Sequence, residues 1–167
     1  MTQNTQVMIA KVPNGPLAPE HFDVVSAPAP ACGEGEVLCR TLALTIGAGQ
    51  RAGLQGSASY AGAPRAGVVM GGTGVARVES SRAPGFAAGD LVVGPTGWQL
   101  LSAQKPSALR KVPAGADPAL NLGVLGTNGL TAYFGLLDLG KPRVATPSSF
   151  RQPQAPSATS SARSRNA

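Results

Sequence analysis

The side chains that most often carry out chemistry in proteins are scarce in this chain. It has two cysteines, Cys32 and Cys39, and a single histidine, His21, within a polar N-terminal stretch. A protein zinc site needs a cluster of cysteine, histidine or carboxylate ligands. No Cys-x-x-Cys pair occurs. We therefore predict that the chain binds no metal ion.

The two cysteines lie seven positions apart, so a disulfide between them is one alternative. Residues 1–6 are polar and lack the basic start and apolar run of a secretory signal. Without a sign of export, we predict free thiols and a cytoplasmic location. A catalytic thiol is not expected, because neither cysteine has an evident partner histidine.

One glycine-rich segment, Gly71-Gly72-Thr73-Gly74, has a composition that can cradle a phosphate. Phosphate-binding loops join a strand to a helix, whereas this segment interrupts a strand pattern that runs from Gly67 to Ser80. A glycine pair inside a strand is typical of a bulge or of a close backbone approach. We predict one of these structural roles.

The secondary-structure elements that must position the cysteines, the histidine and the glycine-rich segment are mostly short strands. The proline-rich segment 27–30 follows the second of them and bars it from a central position, so we predict either a sheet edge or a connection there. Residues 47–67 have no periodicity, and we predict a long loop there. Apolar patterning and turn residues predict strands at 6–13, 22–25, 37–46, 67–80, 91–93, 98–102 and 109–112.

The pattern becomes helical toward residue 140. Asp117-Pro118 is typical of an N-cap followed by proline at the first helical position, and it predicts a helix at 119–125. Residues 126–129 are predicted to break it, and a second helix at 130–139 ends at Gly140. Strands followed by helices predict a mainly β domain with C-terminal helices.

The net charge of +6 is unevenly distributed. Five of the 14 basic residues and none of the 8 acidic ones lie in residues 141–167, so the preceding residues carry about +1. This serine-, alanine- and proline-rich tail contains no glycine, and we predict that it is disordered. Basic residues interleaved with aromatic ones are absent, which argues against nucleic-acid binding. No apolar run approaches the roughly 20 residues of a membrane span.

Several segments together resemble the zinc-free branch of the medium-chain dehydrogenase/reductase superfamily, in particular its prostaglandin, curcumin and double-bond reductases. The resemblance covers residues 6–142, and its most specific segment is 129–140, Gly-Leu-Thr-Ala-Tyr-Phe-Gly-Leu-Leu-Asp-Leu-Gly. The other matching segments are 30–40, 59–60, 86–94, 97–99 and 122–126.

The resemblance implies a GroES-like, partly open β-barrel that precedes a Rossmann domain. It also implies hydride transfer from NADPH to a carbon–carbon double bond conjugated to a carbonyl, with a small enone or enal as substrate. Relatives of this kind are often homodimers. Where zinc-dependent relatives carry Gly-His-Glu, this chain has residues 69–72, Val-Met-Gly-Gly, which agrees with the zinc-free branch.

The same resemblance implies roles for four residues. Tyr60 is the expected catalytic phenol, which donates a hydrogen bond to the substrate carbonyl as negative charge develops; an ordinary loop tyrosine is the alternative. Thr131, Thr127 and Asn128 are the expected cofactor-binding residues beside the nicotinamide ring; helix capping is the alternative for Thr131. Tyr133 is expected to pack in the core.

Two segments depart from the family pattern. Relatives continue Asp-Pro-x-x-Arg-Gly after the third strand, where this chain has residues 45–53, Thr-Ile-Gly-Ala-Gly-Gln-Arg-Ala-Gly. The family's Gly-Met-Pro-Gly is Gly-Thr-Asn-Gly at 126–129. The first change alters the substrate pocket, and the second alters the floor of the nicotinamide site.

The tail lacks the Rossmann strand and glycine-rich turn that the family carries at this point. To find what the neighbouring reading frame could encode, we combined the third base of each codon with the first two bases of the next codon, starting at Val144. The genetic code then permits GDTVVVSAASGAVGNLVG, a small residue and IAK, which resembles the missing segment. We therefore expect residues 144–167 to be an out-of-frame translation; a natural basic tail is the alternative.

These observations predict a GroES-like oxidoreductase domain at 1–140 and a disordered basic tail at 141–167. We expect the chain by itself to bind NADPH weakly and to lack reductase activity, because the pyrophosphate-binding turn is not encoded. A stand-alone GroES-like binding or scaffold module is the alternative. A third hypothesis is electrostatic nucleic-acid binding through the tail, which would depend steeply on salt.

Overall fold

A computed structural model describes residues 2–57, 63–113, 115 and 117–142 of the chain. Tyr60 and the tail from residue 143 onward lie outside the described residues. The chain divides into two compact units, Met1–Thr131 and Ala132–Ala167. Within the described residues, no helix is long and apolar enough to cross a membrane.

The first unit is built from two antiparallel sheets. Strands β1 and β2 form one sheet, and the other has the order β6-β3-β4-β5-β7. Among the described strands β2 pairs with β1 alone, so of its two predicted placements the sheet edge is confirmed. The strands are β1 (Gln3–Ile9), β2 (Phe22–Pro28), β3 (Val37–Leu44), β4 (Gly74–Ser81), β5 (Leu91–Gly94), β6 (Leu101–Gln104) and β7 (Arg110–Lys111).

The core lies on one face of the five-stranded sheet. Alternate residues of β3, Val37 and Cys39, are fully buried and pack against Ala76 and Val78 of β4 and Val92 of β5. Successive strand residues point to opposite faces, so the apolar alternation in these strands assembles a single apolar layer. The mainly β organisation predicted from the sequence is confirmed.

Strand β1 connects the two sheets. Its backbone hydrogen-bonds to Trp98 and to Met70 in addition to β2. The side chain of Asn4 is fully buried. Its Nδ2 donates to the Leu101 carbonyl at 2.9 Å and its Oδ1 accepts from the Leu101 N–H at 2.8 Å. This amide therefore completes the strand pairing where β6 begins.

We predicted a long loop at 47–67. The first part of this prediction is wrong, because helix α1 covers Ala48–Leu54. The Gln50 side chain accepts from the Gly47 N–H at 2.7 Å, which satisfies one of the free donors of the first turn. Leu54 is buried against Ile9 and Met70. The burial of one leucine stabilises a short helix whose glycines and alanines show no amphipathic period.

The predicted C-terminal helices are confirmed in part. Asp117 caps a 3₁₀ helix, Pro118–Leu122, by accepting from the Ala119 N–H at 2.9 Å. The predicted break between the two helices exists, but it lies at 123–126 and not at 126–129, because helix α2 covers Thr127–Tyr133 and so includes Asn128 and Gly129. A π-helical segment, Phe134–Gly140, follows and ends where predicted.

Tyr133 does not pack in the core. Its side chain is 58% exposed, and its ring meets that of Phe134 edge-on, with the centroids 5.4 Å apart. Leu139 is also largely exposed. The core position predicted for Tyr133 is therefore wrong.

We expect Asn4→Ala to lower the free energy of unfolding by about 1–3 kcal/mol, because it leaves the buried Leu101 N–H and carbonyl without partners. Urea denaturation of the purified chain measures the change. Thr5→Ala is the matched control, because Thr5 is exposed on the same strand. Equal stability of the two variants would show that the Asn4 amide contributes nothing.

Burial raises the pKa of the Cys39 thiol to about 11, with the nearby Cys32 adding to the increase. We therefore expect iodoacetamide at pH 8 to alkylate Cys32 and to reach Cys39 only after unfolding, since the thiolate is the nucleophile. Because the folded pKa lies above that of the unfolded thiol, stability should fall as pH rises from 9 through 11. Mass spectrometry of the alkylated chain distinguishes the sites. Rapid alkylation of Cys39 in the folded protein would contradict the expectation.

Candidate functional site

Two neighbouring cavities lie where α1, the 67–73 segment and the start of α2 meet. The first has a volume of about 840 Å³ and a mainly apolar lining. Its apolar walls come from β1, α1 and the 63–70 segment. The lining residues with apolar side chains are Ile9, Leu54, Ala63, Pro64, Val68, Val69, Met70 and Pro95.

The second cavity has a volume of about 940 Å³ and a more polar wall. Arg110, Asn121, Thr127 and Asn128 line it. Asn121 is 3% exposed, and its Oδ1 accepts from the Arg110 guanidinium at 3.3 Å. Its Nδ2 has no hydrogen-bond partner. A buried donor without a partner is costly, and this one is closed off from the cavity.

The two cavities share one wall, whose polar members are Thr45, Gln50, Thr73 and Thr127. The Gln50 Nε2 donates to the Thr45 carbonyl at 2.9 Å and to the Gly71 carbonyl at 3.2 Å. This side chain therefore ties the end of β3 to the segment before β4. It fixes the wall that both cavities share.

Gly72, the second residue of the pair at 71–72, lets other groups approach closely, which confirms for this residue one of the two structural roles predicted for the pair. A Cβ added at Gly72 would lie 2.8 Å from the Gln50 Nε2 and 2.9 Å from the Trp98 indole nitrogen. A Cβ at Gly71 would meet nothing within 4 Å. Trp98 in turn stacks on Phe22 and packs against the buried cluster of Ile9, Leu54 and Met70.

The start of α2 is held close to the preceding turn. A Cβ at Gly129 would collide with the Val124 carbonyl, so only glycine fits at this position. This packing places Thr127 at both cavities and Asn128 at the second. Thr131 lies at neither cavity, and its hydroxyl donates to the Thr127 carbonyl at 2.8 Å. That hydrogen bond joins two residues four positions apart within the helix and is not a cap. The cofactor-binding role of Thr131 stays a prediction.

The catalytic residue predicted from the sequence, Tyr60, lies outside the described residues, so its role stays a prediction. The segment that follows it, from Ala63, lines the first cavity. Within the described part of the chain, no group of three histidine, cysteine or carboxylate side chains could hold a metal ion.

Sequence reasoning missed two residues of the first cavity, Gln50 and Arg65. Gln50 could have been found, because it stands three positions after Gly47, and a glutamine at this distance from an N-cap is a helix-start signal. Arg65 has no comparable signal. Its place at the cavity depends on how the 63–70 segment is held against β1.

Comparisons with known proteins agree with this architecture. A family model described as the N-terminal domain of oxidoreductase matches residues 5–112. The chain is 37% identical over 142 residues to the NADPH-dependent curcumin reductase of Escherichia coli, a match that covers 84% of this chain and 41% of that protein. It is 36% identical over 122 residues to prostaglandin reductase 1 of Bos taurus, with 71% of this chain and 35% of that protein covered.

A solved structure shows the same fold. The crystal structure of CurA in complex with NADPH from Vibrio vulnificus superimposes with a TM-score of 0.76 at 32% identity, over 83% of this chain and 42% of that one. The chain thus spans about two fifths of the length of the curated relatives described here.

We expect Gly72→Ala to destabilise the protein by about 1–3 kcal/mol, because the new methyl group must displace Gln50 and Trp98. Gly71→Ala is the matched control and should be neutral within about 0.5 kcal/mol. Urea denaturation of both variants measures the difference. Equal stability would show that the close approach at Gly72 does not constrain this wall.

Proposed function

Because this chain belongs to the medium-chain dehydrogenase/reductase family and carries its N-terminal oxidoreductase domain, we propose that it forms the substrate side of an NADP-dependent reductase. The proposed reaction is reduction of a carbon–carbon double bond conjugated to a carbonyl. The resemblance to the prostaglandin and curcumin reductases and the mainly β, GroES-like fold, both predicted from the sequence, are confirmed.

The observation that carries the proposal is the pairing of an apolar cavity with a polar one across a shared wall. A conjugated enone is flat and mostly apolar, and it suits the first cavity, whose lining is largely aliphatic. Thr127 lines both cavities. A substrate in the first cavity would therefore lie next to whatever occupies the second.

The residues around the second cavity fit the nicotinamide end of NADP. The side chains of Thr127 and Asn128 supply donors and acceptors that suit a carboxamide. When bound, the cofactor supplies the hydride. The contribution of these residues is to orient the ring against the shared wall.

The apolar residues that border the second cavity also support this arrangement. Ile46, Leu125 and Leu130 line it and are each more than half exposed. A concentration of exposed apolar side chains is typical of a face that another part of a protein covers. We propose that the cofactor-binding part of the enzyme covers this face.

The chemistry proposed for the chain itself is polarisation of the substrate. The proposed donor is Tyr60, which lies outside the described residues and comes three positions before Ala63 of the first cavity in the sequence. A phenol beside the substrate would donate a hydrogen bond to the carbonyl oxygen. That oxygen gains negative charge as hydride reaches the far carbon of the double bond. A donor at this position would therefore stabilise the transition state more than the ground state.

The proposal is tested with a chimera in which residues 1–142 precede the remaining part of the Escherichia coli curcumin reductase. We expect NADPH-dependent reduction of an aryl enone, and Tyr60→Phe should lower kcat about 100-fold with a small change in KM. Tyr133→Phe is the control and should leave kcat unchanged. A folded chimera that reduces no enone would refute the proposed function, whereas full activity of Tyr60→Phe would refute only the role of Tyr60.

A further inference from the structure

We propose that Gln50 is a positioning residue, which sets the separation of the two reactants by holding the wall that the two cavities share. The inference rests on the proposed function, which assigns the substrate to the first cavity and the nicotinamide ring to the second. Gln50 is the third residue of α1, and it lines both cavities.

The Gln50 side chain joins three segments of backbone. Its Oε1 accepts from the Gly47 N–H at 2.7 Å. Its Nε2 donates to the Thr45 carbonyl at 2.9 Å and to the Gly71 carbonyl at 3.2 Å. These partners lie at the start of α1, directly after β3 and in the segment before β4. A glutamine amide has two N–H donors and one carbonyl oxygen, so both ends of this amide hold the protein's own backbone.

Two backbone hydrogen bonds lie beside this tie. The Thr45 N–H donates to the Thr73 carbonyl at 2.9 Å, and the Gly97 N–H donates to the Gly72 carbonyl at 3.0 Å. Gly72 also leaves the space that the amide needs, since a Cβ there would lie 2.8 Å from the Gln50 Nε2. The wall is therefore one hydrogen-bonded unit, and its segments meet at Gln50.

The family pattern does not supply this tie. When Arg51 is aligned with the arginine of Asp-Pro-x-x-Arg-Gly, Gly47 stands at the aspartate and Gln50 at a position that the pattern leaves open. Gly47 has no side chain that could cap α1, and Gln50 instead reaches back to it from within the helix. The positioning role therefore belongs to the 45–53 sequence of this chain.

Hydride transfer is sensitive to the separation that such a wall sets. The reacting atoms must lie about 3–3.5 Å apart, and a misplacement of about 1 Å can slow a reaction about 100-fold. Loss of the two Gln50 donors would leave the Thr45 and Gly71 carbonyls without this tie, while the aliphatic lining of the first cavity stays the same. We therefore expect a slower chemical step with little change in substrate binding.

Amide hydrogen exchange in the 167-residue chain tests the tie without cofactor or turnover. Gln50→Glu keeps an acceptor for the Gly47 N–H but loses both donors, and Gln50→Met loses all three hydrogen bonds without adding charge. We expect the Thr45 and Gly97 amides to exchange about tenfold faster in both variants, while amides of the core strands keep their rates.

Gln55→Glu is the matched control, because it adds the same charge next to the other end of α1. Gln55 is exposed, lines neither cavity and donates to the Gly15 carbonyl at 3.4 Å. It should leave exchange at Thr45 and Gly97 unchanged. Native exchange rates at these two amides in both Gln50 variants would overturn the inference.

The chimera that tests the proposed function gives the kinetic readout. We expect Gln50→Glu and Gln50→Met to lower kcat roughly 10- to 100-fold and to change KM by less than about twofold. NADPH deuterated at the transferred position should show a larger isotope effect in these variants, because hydride transfer becomes more strongly rate-limiting. Loss of folded protein alone would lower kcat without changing the isotope effect. Gln55→Glu should keep both values.

The outcomes separate this inference from the proposed function. Native kcat in both Gln50 variants of an active chimera would overturn the positioning role and leave the proposed function standing. An unmodified chimera that folds but reduces no enone would refute the proposed function and the positioning role with it.

Discussion

The arrangement of the first unit depends on how strand β1 is held. β1 pairs with β2 on one side and hydrogen-bonds to the segments around Met70 and Trp98 elsewhere. Asn4 completes this pairing with a fully buried amide that both donates to and accepts from Leu101. These groups are buried, so water cannot replace a lost partner. Breaking either hydrogen bond would therefore be costly. The position of Ile9, at the end of β1 and in the wall of the first cavity, follows from it.

The wall between the two cavities depends on close packing. Gly72 leaves room for Gln50 and Trp98 to approach the backbone, and Gln50 uses that room to join two chain segments. The indole nitrogen of Trp98 is buried without a partner. Close packing around Trp98 therefore leaves its indole N–H without a hydrogen bond, beside the cavity in which we propose that the substrate binds.

Much of the fold could be read from the sequence. The alternation of apolar residues in β3, the edge position of β2 and the Asp117 cap are local signals, and each was interpreted correctly. The strand predicted at 67–80 begins only at Gly74 as β4. Helix α1 was not predicted, and the second helix was predicted to begin at 130, whereas it begins at Thr127. Leu54 stabilises α1 through Ile9 and Met70, which are remote in sequence, and Gly129 is required by contact with Val124 although glycine ordinarily breaks a helix.

The sequence by itself determined the family, the mainly β architecture and the candidate residues near 127–131. Each of these can be inferred from motifs and turn residues that lie close together in the chain. Only the tertiary structure decided which side chains share a cavity. It placed Thr127 at both cavities, committed the Thr131 hydroxyl to its own helix, and brought Gln50 and Arg65 to the first cavity. The physical reason is that a cavity is formed by segments far apart in the chain, and their meeting is fixed by packing and buried hydrogen bonds that no local pattern encodes.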